Sequence, residues 1–141
     1  MTEDKFIYIY IYMQNRNWYN SLKKSSLTPP SWVFGTAWGL LYTSMVIYLV
    51  LMMRDEKCNM WCQPLTFFVV QLFFNLIWTS LFFKFKMIRL ALIDILFTLG
   101  FTITTFITSL NINSKLSLIL IPYILWLTLA TYLNTYIVFN N

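Results

Sequence analysis

The chain has 141 residues, 59% of them hydrophobic and 11% charged, with a formal net charge of +5 and no histidine. Soluble domains carry about 25% charged residues, so ten basic and five acidic side chains are too few to clothe a soluble fold of this size. The apolar residues lie in runs of about 20, enough at 1.5 Å per residue to cross a hydrocarbon core about 30 Å thick. Three glycines and four prolines, without alternating ten-residue segments between turns, argue against a β-barrel. Helices must then satisfy the backbone within the membrane, which makes this an all-α, multi-pass integral membrane protein. The positive charge reflects loop positions and does not suggest a nucleic-acid partner. Two cysteines four apart, Cys58 and Cys62, with no further Cys or His pair, do not make a closed zinc site. They read as two loop thiols, or as a disulfide if that loop faces an oxidising compartment.

Five helices are expected in chain order, within one domain covering 1–141. The first, 6–17, is too short to span by itself and is read as an interfacial helix or half of a span; the polar stretch from Asn15 to Ser31 reads as a loop closed by Pro29 and Pro30, which hold the chain extended before the next helix. The second helix, 32–53, stops at the charge cluster Arg54, Asp55, Glu56 and Lys57. The third, 64–83, opens with Pro64, whose missing N–H costs nothing in a first turn. The fourth and fifth are expected at 87–110 and 117–139. Short connections make successive helices antiparallel neighbours in one bundle. Loops one and three hold Arg16, Lys23, Lys24, Lys84, Lys86 and Arg89, against Arg54, Lys57 and Lys115 in loops two and four, which places loops one and three on the cytoplasmic side.

Polar residues at membrane depth are costly and normally face the bundle interior. Helical spacing puts Phe34, Trp38 and Tyr42 on one face of the second helix and Gln71, Asn75, Trp78 and Phe82 on one face of the third. It likewise aligns Asp94, Thr98, Thr102, Thr105 and Ser109 on the fourth helix, and Trp126, Ala130, Leu133 and Asn134 on the fifth. The threonine stripe reads as close helix packing or as part of a site. Asp94 reads as an ion pair with Lys84, Lys86 or Arg89, as a carboxylate favourably placed near the positive helix end, or as a proton or ligand contact in the cavity. Trp18, Trp32 and Trp61 fall at membrane boundaries, as in an interfacial belt. Trp38, Trp78 and Trp126 lie deeper, and indoles beside Asn75 and Gln71 would suit a flat, amphipathic, aromatic ligand, or simply pack.

Several strings resemble the tryptophan-rich sensory protein and translocator protein family, TspO/MBR. Trp18-Tyr19-Asn20-Ser21-Leu22-Lys23-Lys24, then Pro29-Pro30-Ser31-Trp32-Val33-Phe34-Gly35 and Trp38-Gly39-Leu40-Leu41-Tyr42, are similar to its first loop and second helix. Gln71 to Trp78 with Phe82-Phe83, then Ala91-Leu92-Ile93-Asp94, Pro122 to Trp126 and Ala130 to Asn134, are similar to its remaining helices, in order. The resemblance implies a five-helix transmembrane bundle, here with a shortened first helix, commonly a homodimer, around a pocket that opens toward loop one. It implies ligand contacts at Trp38, Asn75, Trp126, Ala130 and Leu133, with porphyrin or haem as a non-covalent ligand and membrane lipid as surroundings.

The expected function is therefore that of an integral membrane receptor or sensor binding tetrapyrroles. The alternatives are a light-dependent porphyrin-degrading enzyme, in which Trp38 and Trp126 would take part, and a lipid or sterol transport protein. The family's C-terminal sterol motif needs a basic residue after a tyrosine. Here Tyr136 is followed by Ile137-Val138-Phe139-Asn140-Asn141, which disfavours sterol transport.

Overall fold

The computed structural model describes residues 16–58 and 62–141. Among these there is no strand, and four helical stretches are long and apolar enough to cross a membrane: Ser31–Arg54, Gln63–Lys84, Ile88–Leu110 and Ser114–Asn140. We label the helical residues 16–21 α1. The expected first helix, 6–17, lies mostly outside the described residues, as does Trp61; the helix does not stop at residue 17, however, because residues 18–21, assigned to a loop from their polarity, are helical. Ser21 Oγ donates to the Trp18 carbonyl at 2.6 Å, absorbing one of the carbonyls a helix end leaves unpaired.

Helix α2 (Ser31–Arg54) begins after Pro30, whose ψ of 152° is extended, and ends with Arg54 in its last turn, where a cation complements the helix dipole. Helix α3 (Gln63–Thr79) has a proline in its first turn and runs without a break into a π-helical turn, Ser80–Lys84. There the Phe85 N–H donates to the Ser80 carbonyl at 2.9 Å, five residues back. Lys86, in the left-handed region at φ 55°, then turns the chain sharply into α4 (Ile88–Leu110). A three-residue turn leads to α5 (Ser114–Ser117), capped by the Asn113 side chain, which accepts from the N–H groups of Lys115 and Leu116. A 3₁₀ turn, Leu118–Leu120, joins α5 to α6 (Ile121–Asn140). Pro122 explains that tightening: it has no N–H to give the carbonyl four residues back.

Helix α4 packs most extensively on α3 and then on α6. Its buried face is the expected stripe of Asp94, Thr98, Thr102, Thr105 and Ser109. The hydroxyls of Thr98, Thr102, Thr105 and Ser109 each donate to a carbonyl four residues back, at 3.0, 2.7, 2.8 and 2.6 Å. The stripe thus serves mainly as small, internally satisfied packing surface, letting helix backbones approach closely where lipid supplies no hydrophobic drive between helices. Asp94 makes no ion pair among the described residues: its side chain is buried and Oδ2 lacks a hydrogen-bond partner. The ion-pair reading therefore does not hold among the described residues.

The two ends of the bundle are built differently. Loop two (residues 55–62) carries a disulfide between Cys58 and Cys62, with Cα atoms 5.3 Å apart, which resolves the choice between paired and unpaired thiols. Asp55 accepts from the Lys57 N–H at 2.9 Å and from the Asn113 amide at 3.2 Å, tying loop two to the α4–α5 turn. Beneath them the main core gathers Met45, Tyr48, Met52, Cys58, Leu65, Phe68 and Leu120. At the other end only a small cluster forms, around Phe82, Ala91 and Ile137, and there the helices part around a cavity.

Candidate functional site

The cavity has a volume of about 500 Å³, within the roughly 300–1,000 Å³ of drug-sized ligand sites. One wall is α2, which contributes Phe34 and Trp38 one turn apart; another is α6, with Trp126, Ala130, Leu133 and Ile137. The α3 side supplies Trp78 and, from the π turn, Phe82. The wider turn lets Phe82 stack on Trp78, ring centres 5.0 Å apart at 24°, while its other side meets Trp18 edge-on at 5.6 Å. A π turn spliced onto a helix commonly marks a functional position, and here it aims an aromatic ring at the cavity.

Trp38 and Trp126 face each other across the α2–α6 seam, centres 6.1 Å apart and planes at 85°, and Phe34 packs edge-on to Trp126 at 5.6 Å. Edge-to-face pairs of this kind hold rings in fixed orientation. The Trp126 indole nitrogen is buried and has no hydrogen-bond acceptor among the described residues. An unpaired buried donor costs about 1–3 kcal/mol, which a ligand acceptor reaching it would recover. Trp78, by contrast, donates to Asn134 Oδ1 at 3.0 Å, and Asn134 donates in turn to the Ile88 carbonyl at 3.1 Å. That chain ties α3 and α6, which line the cavity, to the first residue of α4.

Four of the five expected contact residues, Trp38, Trp126, Ala130 and Leu133, line this one cavity. Asn75 does not. It borders a second, smaller hollow of about 100 Å³ that shares Trp38, Trp78 and Thr79 with the first, and its side chain is already engaged. Tyr42 donates to Asn75 Oδ1 at 2.5 Å, and Asn75 Nδ2 donates to the Tyr123 hydroxyl at 2.7 Å. Tyr123 donates in turn to Gln71 Oε1 at 2.8 Å, and the Thr102 hydroxyl, bonded mainly to the Thr98 carbonyl, lies 3.3 Å from the same oxygen. The polar face of α3 is thus a closed hydrogen-bond network under the cavity floor, and a ligand would reach Asn75 only by displacing Tyr42 or Tyr123.

Helical spacing missed Tyr123, although it stands three residues before Trp126 and seven before Ala130 on the same face of α6. Arg16 and Tyr19, at the mouth, were also missed as site residues. Polar sequence around them suggested a loop, and no periodicity marks a wall made from so short a helical stretch. Trp18, assigned to a boundary belt, instead packs into the mouth cluster against Phe82; Trp32, 72% exposed, keeps a belt-like position.

No metal-ligating group of three or more His, Cys, Asp or Glu exists among the described residues. For a tetrapyrrole the aromatic walls suit the ring face. For haem iron, the only residue of axial-ligand type on the cavity wall among the described residues is Tyr19.

The profile of the TspO/MBR family matches residues 6–139. A tryptophan-rich protein TspO from Archaeoglobus fulgidus is 36% identical over 119 residues, covering 84% of this chain and 76% of that protein. A tryptophan-rich sensory protein from Cereibacter sphaeroides is 33% identical over 117 residues, 83% and 72% of the respective chains. The human translocator protein is 32% identical over 127 residues, 89% of this chain and 75% of that one.

Proposed function

This chain belongs to the TspO/MBR family, and from that premise we propose that it is a five-span membrane receptor that binds a tetrapyrrole, haem or protoporphyrin, in the cavity between α2, α3 and α6. The observation that carries the reading is the pairing of Trp38 and Trp126 on the wall of a cavity of about 500 Å³. A flat aromatic ring gains dispersion and quadrupole contact from indole faces and edges that are already held in place. The unpartnered Trp126 N–H adds a polar contact for a ring substituent. Ala130 supports the same reading through its small size: any larger side chain there would narrow the wall between Trp126 and Leu133.

Titration of protoporphyrin IX into purified protein, followed by tryptophan fluorescence, tests the proposal. Saturable quenching is expected, weakened about tenfold or more in the Trp38→Phe, Trp126→Phe double variant, the scale of losing two aromatic contacts of about 0.5–1.5 kcal/mol each. Absence of saturation would overturn it.

The orientation that supports this function places loop one and the cavity mouth on the cytoplasmic side. Two independent signals favour it: the basic residues concentrate at the mouth end, and the Cys58–Cys62 disulfide sits at the opposite end, where an oxidising compartment would preserve it.

A further inference from the structure

Among the described residues, the cavity wall carries one charged side chain, Arg16, and no carboxylate. Arg16 is exposed, and no described residue forms an ion pair or hydrogen bond with it. Two further cations are held beside the same mouth. Lys24 Nζ donates to the Tyr19 carbonyl at 3.2 Å and sits 4.3 Å above the ring of Tyr19, itself a wall residue. Lys86, fixed by its left-handed backbone, places Nζ 5.7 Å from the Trp18 ring centre. The described carboxylates are remote: Asp55 and Glu56 follow the far end of α2, about 36 Å of helix away, and Asp94 is off the cavity wall. Among the described residues, the mouth is therefore a cationic rim without a facing carboxylate, around an apolar interior.

Resting on the tetrapyrrole reading, we propose that Arg16 binds a carboxylate of the ligand, so that the cavity selects an anionic amphiphile over its neutral counterpart. The planar body enters between Trp38 and Trp126 while the acid group stays at the mouth. There a guanidinium that is still hydrated loses little solvation on pairing, and its planar fork matches a carboxylate with two parallel hydrogen bonds. A charge driven deeper would meet only aromatic and aliphatic walls, where burying it is prohibitive. Basic loops on one side of a membrane protein are ordinarily a matter of topology alone. Topology, however, is indifferent to where within its loop or helix end a cation lies, and does not account for an arginine in the cavity wall.

The test compares protoporphyrin IX with its dimethyl ester, the same ring without the two acids, titrated into full-length protein in phosphatidylcholine nanodiscs. The acid is expected to bind about tenfold more tightly, the low end for hydrogen bonds to a charged group. That advantage should collapse in Arg16→Gln, survive in Arg16→Lys, and be untouched by Lys115→Gln at the other end. Should Arg16→Gln not fold, the wild-type protein decides: raising salt should weaken the acid and leave the ester unchanged. Equal affinity for acid and ester overturns the inference and leaves the tetrapyrrole reading intact. Binding of neither overturns both, and an advantage that persists in Arg16→Gln removes Arg16 from the site. Repeating the titration with phosphatidylglycerol in the disc separates the two sources of such an anion. Retention of the advantage assigns the site to the ring's carboxylate, and its loss assigns Arg16 to a lipid headgroup and overturns the proposal.

Discussion

The end of the bundle at loop two and the end at loop one are made from the same helices, yet one is closed and the other hollow. At the closed end large side chains meet over the bundle axis: Tyr48 and Met52 are fully buried, Tyr48 shares a hydrogen bond of 2.5 Å with Ser109, the Cys58–Cys62 disulfide staples loop two, and the Asp55–Asn113 contact ties that loop to the α4–α5 turn. At the open end the large residues are rings that stand on the walls without filling the space between them. Loop one is held off that space by its own ties: Lys23 and Asn141 exchange two hydrogen bonds, at 3.0 and 3.1 Å, and the Ser25 and Tyr132 hydroxyls meet at 3.4 Å. The difference teaches that the tightest packing and the cavity lie toward opposite ends of the helix axis, with Trp38, Trp126 and Ala130 resting on the core between them.

Filling the open end should have the largest effect. Ala130→Phe puts a ring into the cavity and is expected to weaken protoporphyrin binding by about 10–100-fold, the equivalent of about 1–3 kcal/mol of overpacking once a ligand must share the space. The thermal midpoint should change little, because the empty cavity accepts the ring; a comparable fall in both would show that the cavity wall also carries stability.

At the closed end the expectation reverses. Cys58→Ser opens a loop of about five residues, for which chain-entropy estimates give a loss of about 2 kcal/mol. Thermal unfolding in detergent should register it, with affinity for protoporphyrin changed less than twofold. The same result should follow from reducing the wild-type protein, and a large loss of binding there would join the two ends that the packing separates.

Between the ends, Asn75→Ala deprives the hydroxyls of Tyr42 and Tyr123 of their shared partner. Hydrogen bonds inside membrane helices average about 0.6 kcal/mol in measured cycles, with a maximum near 1.7. A loss of about 1 kcal/mol in stability is therefore expected, with only a modest effect on binding, since Asn75 sits below the floor. A loss of binding far exceeding the loss of stability would place Asn75 in direct contact with the ligand after all.

The smallest effect concerns pH. The Lys57 backbone N–H, then the Asn113 amide and the Lys57 charge, hold the Asp55 carboxyl below its ordinary range. A carboxyl with a lowered folded pKa contributes stability that is present above the unfolded value, about 3.9, and is lost as pH falls through the folded one. Asp55→Asn should flatten the acid limb of the thermal midpoint below about pH 4 and leave the neutral-pH cavity unaltered.

Much of the architecture was legible in the chain because membrane solvent imposes simple rules. Apolar runs, Pro29-Pro30 and Pro64 at helix starts, and the charge cluster at Arg54 to Lys57 mark the spans, since an unsatisfied backbone group in lipid is too costly to tolerate. Helical periodicity put Trp38 on one face of its helix and Trp126, Ala130 and Leu133 on one face of theirs, and the family resemblance implied that these faces share a pocket. Periodicity could not tell that Asn75, on the same face of α3 as Trp78, would be consumed by Tyr42 and Tyr123, because those partners come from α2 and α6. Nor did it reveal Trp18 in the mouth or Arg16 in its wall, where a short helical stretch offers too few turns for a pattern.

Sequence by itself determined the class of molecule, its membrane-crossing segments and which helix faces look inward, because those depend on local hydropathy and a fixed helical period. Only the tertiary structure decided which inward residues bound a cavity and which satisfy one another, that Asp94 has no ion partner among the described residues, that the two cysteines are joined, and that one bundle end is tightly packed while the described helices part around a cavity at the other. Those outcomes depend on distances between elements far apart in the chain, and no spacing within a single helix encodes them.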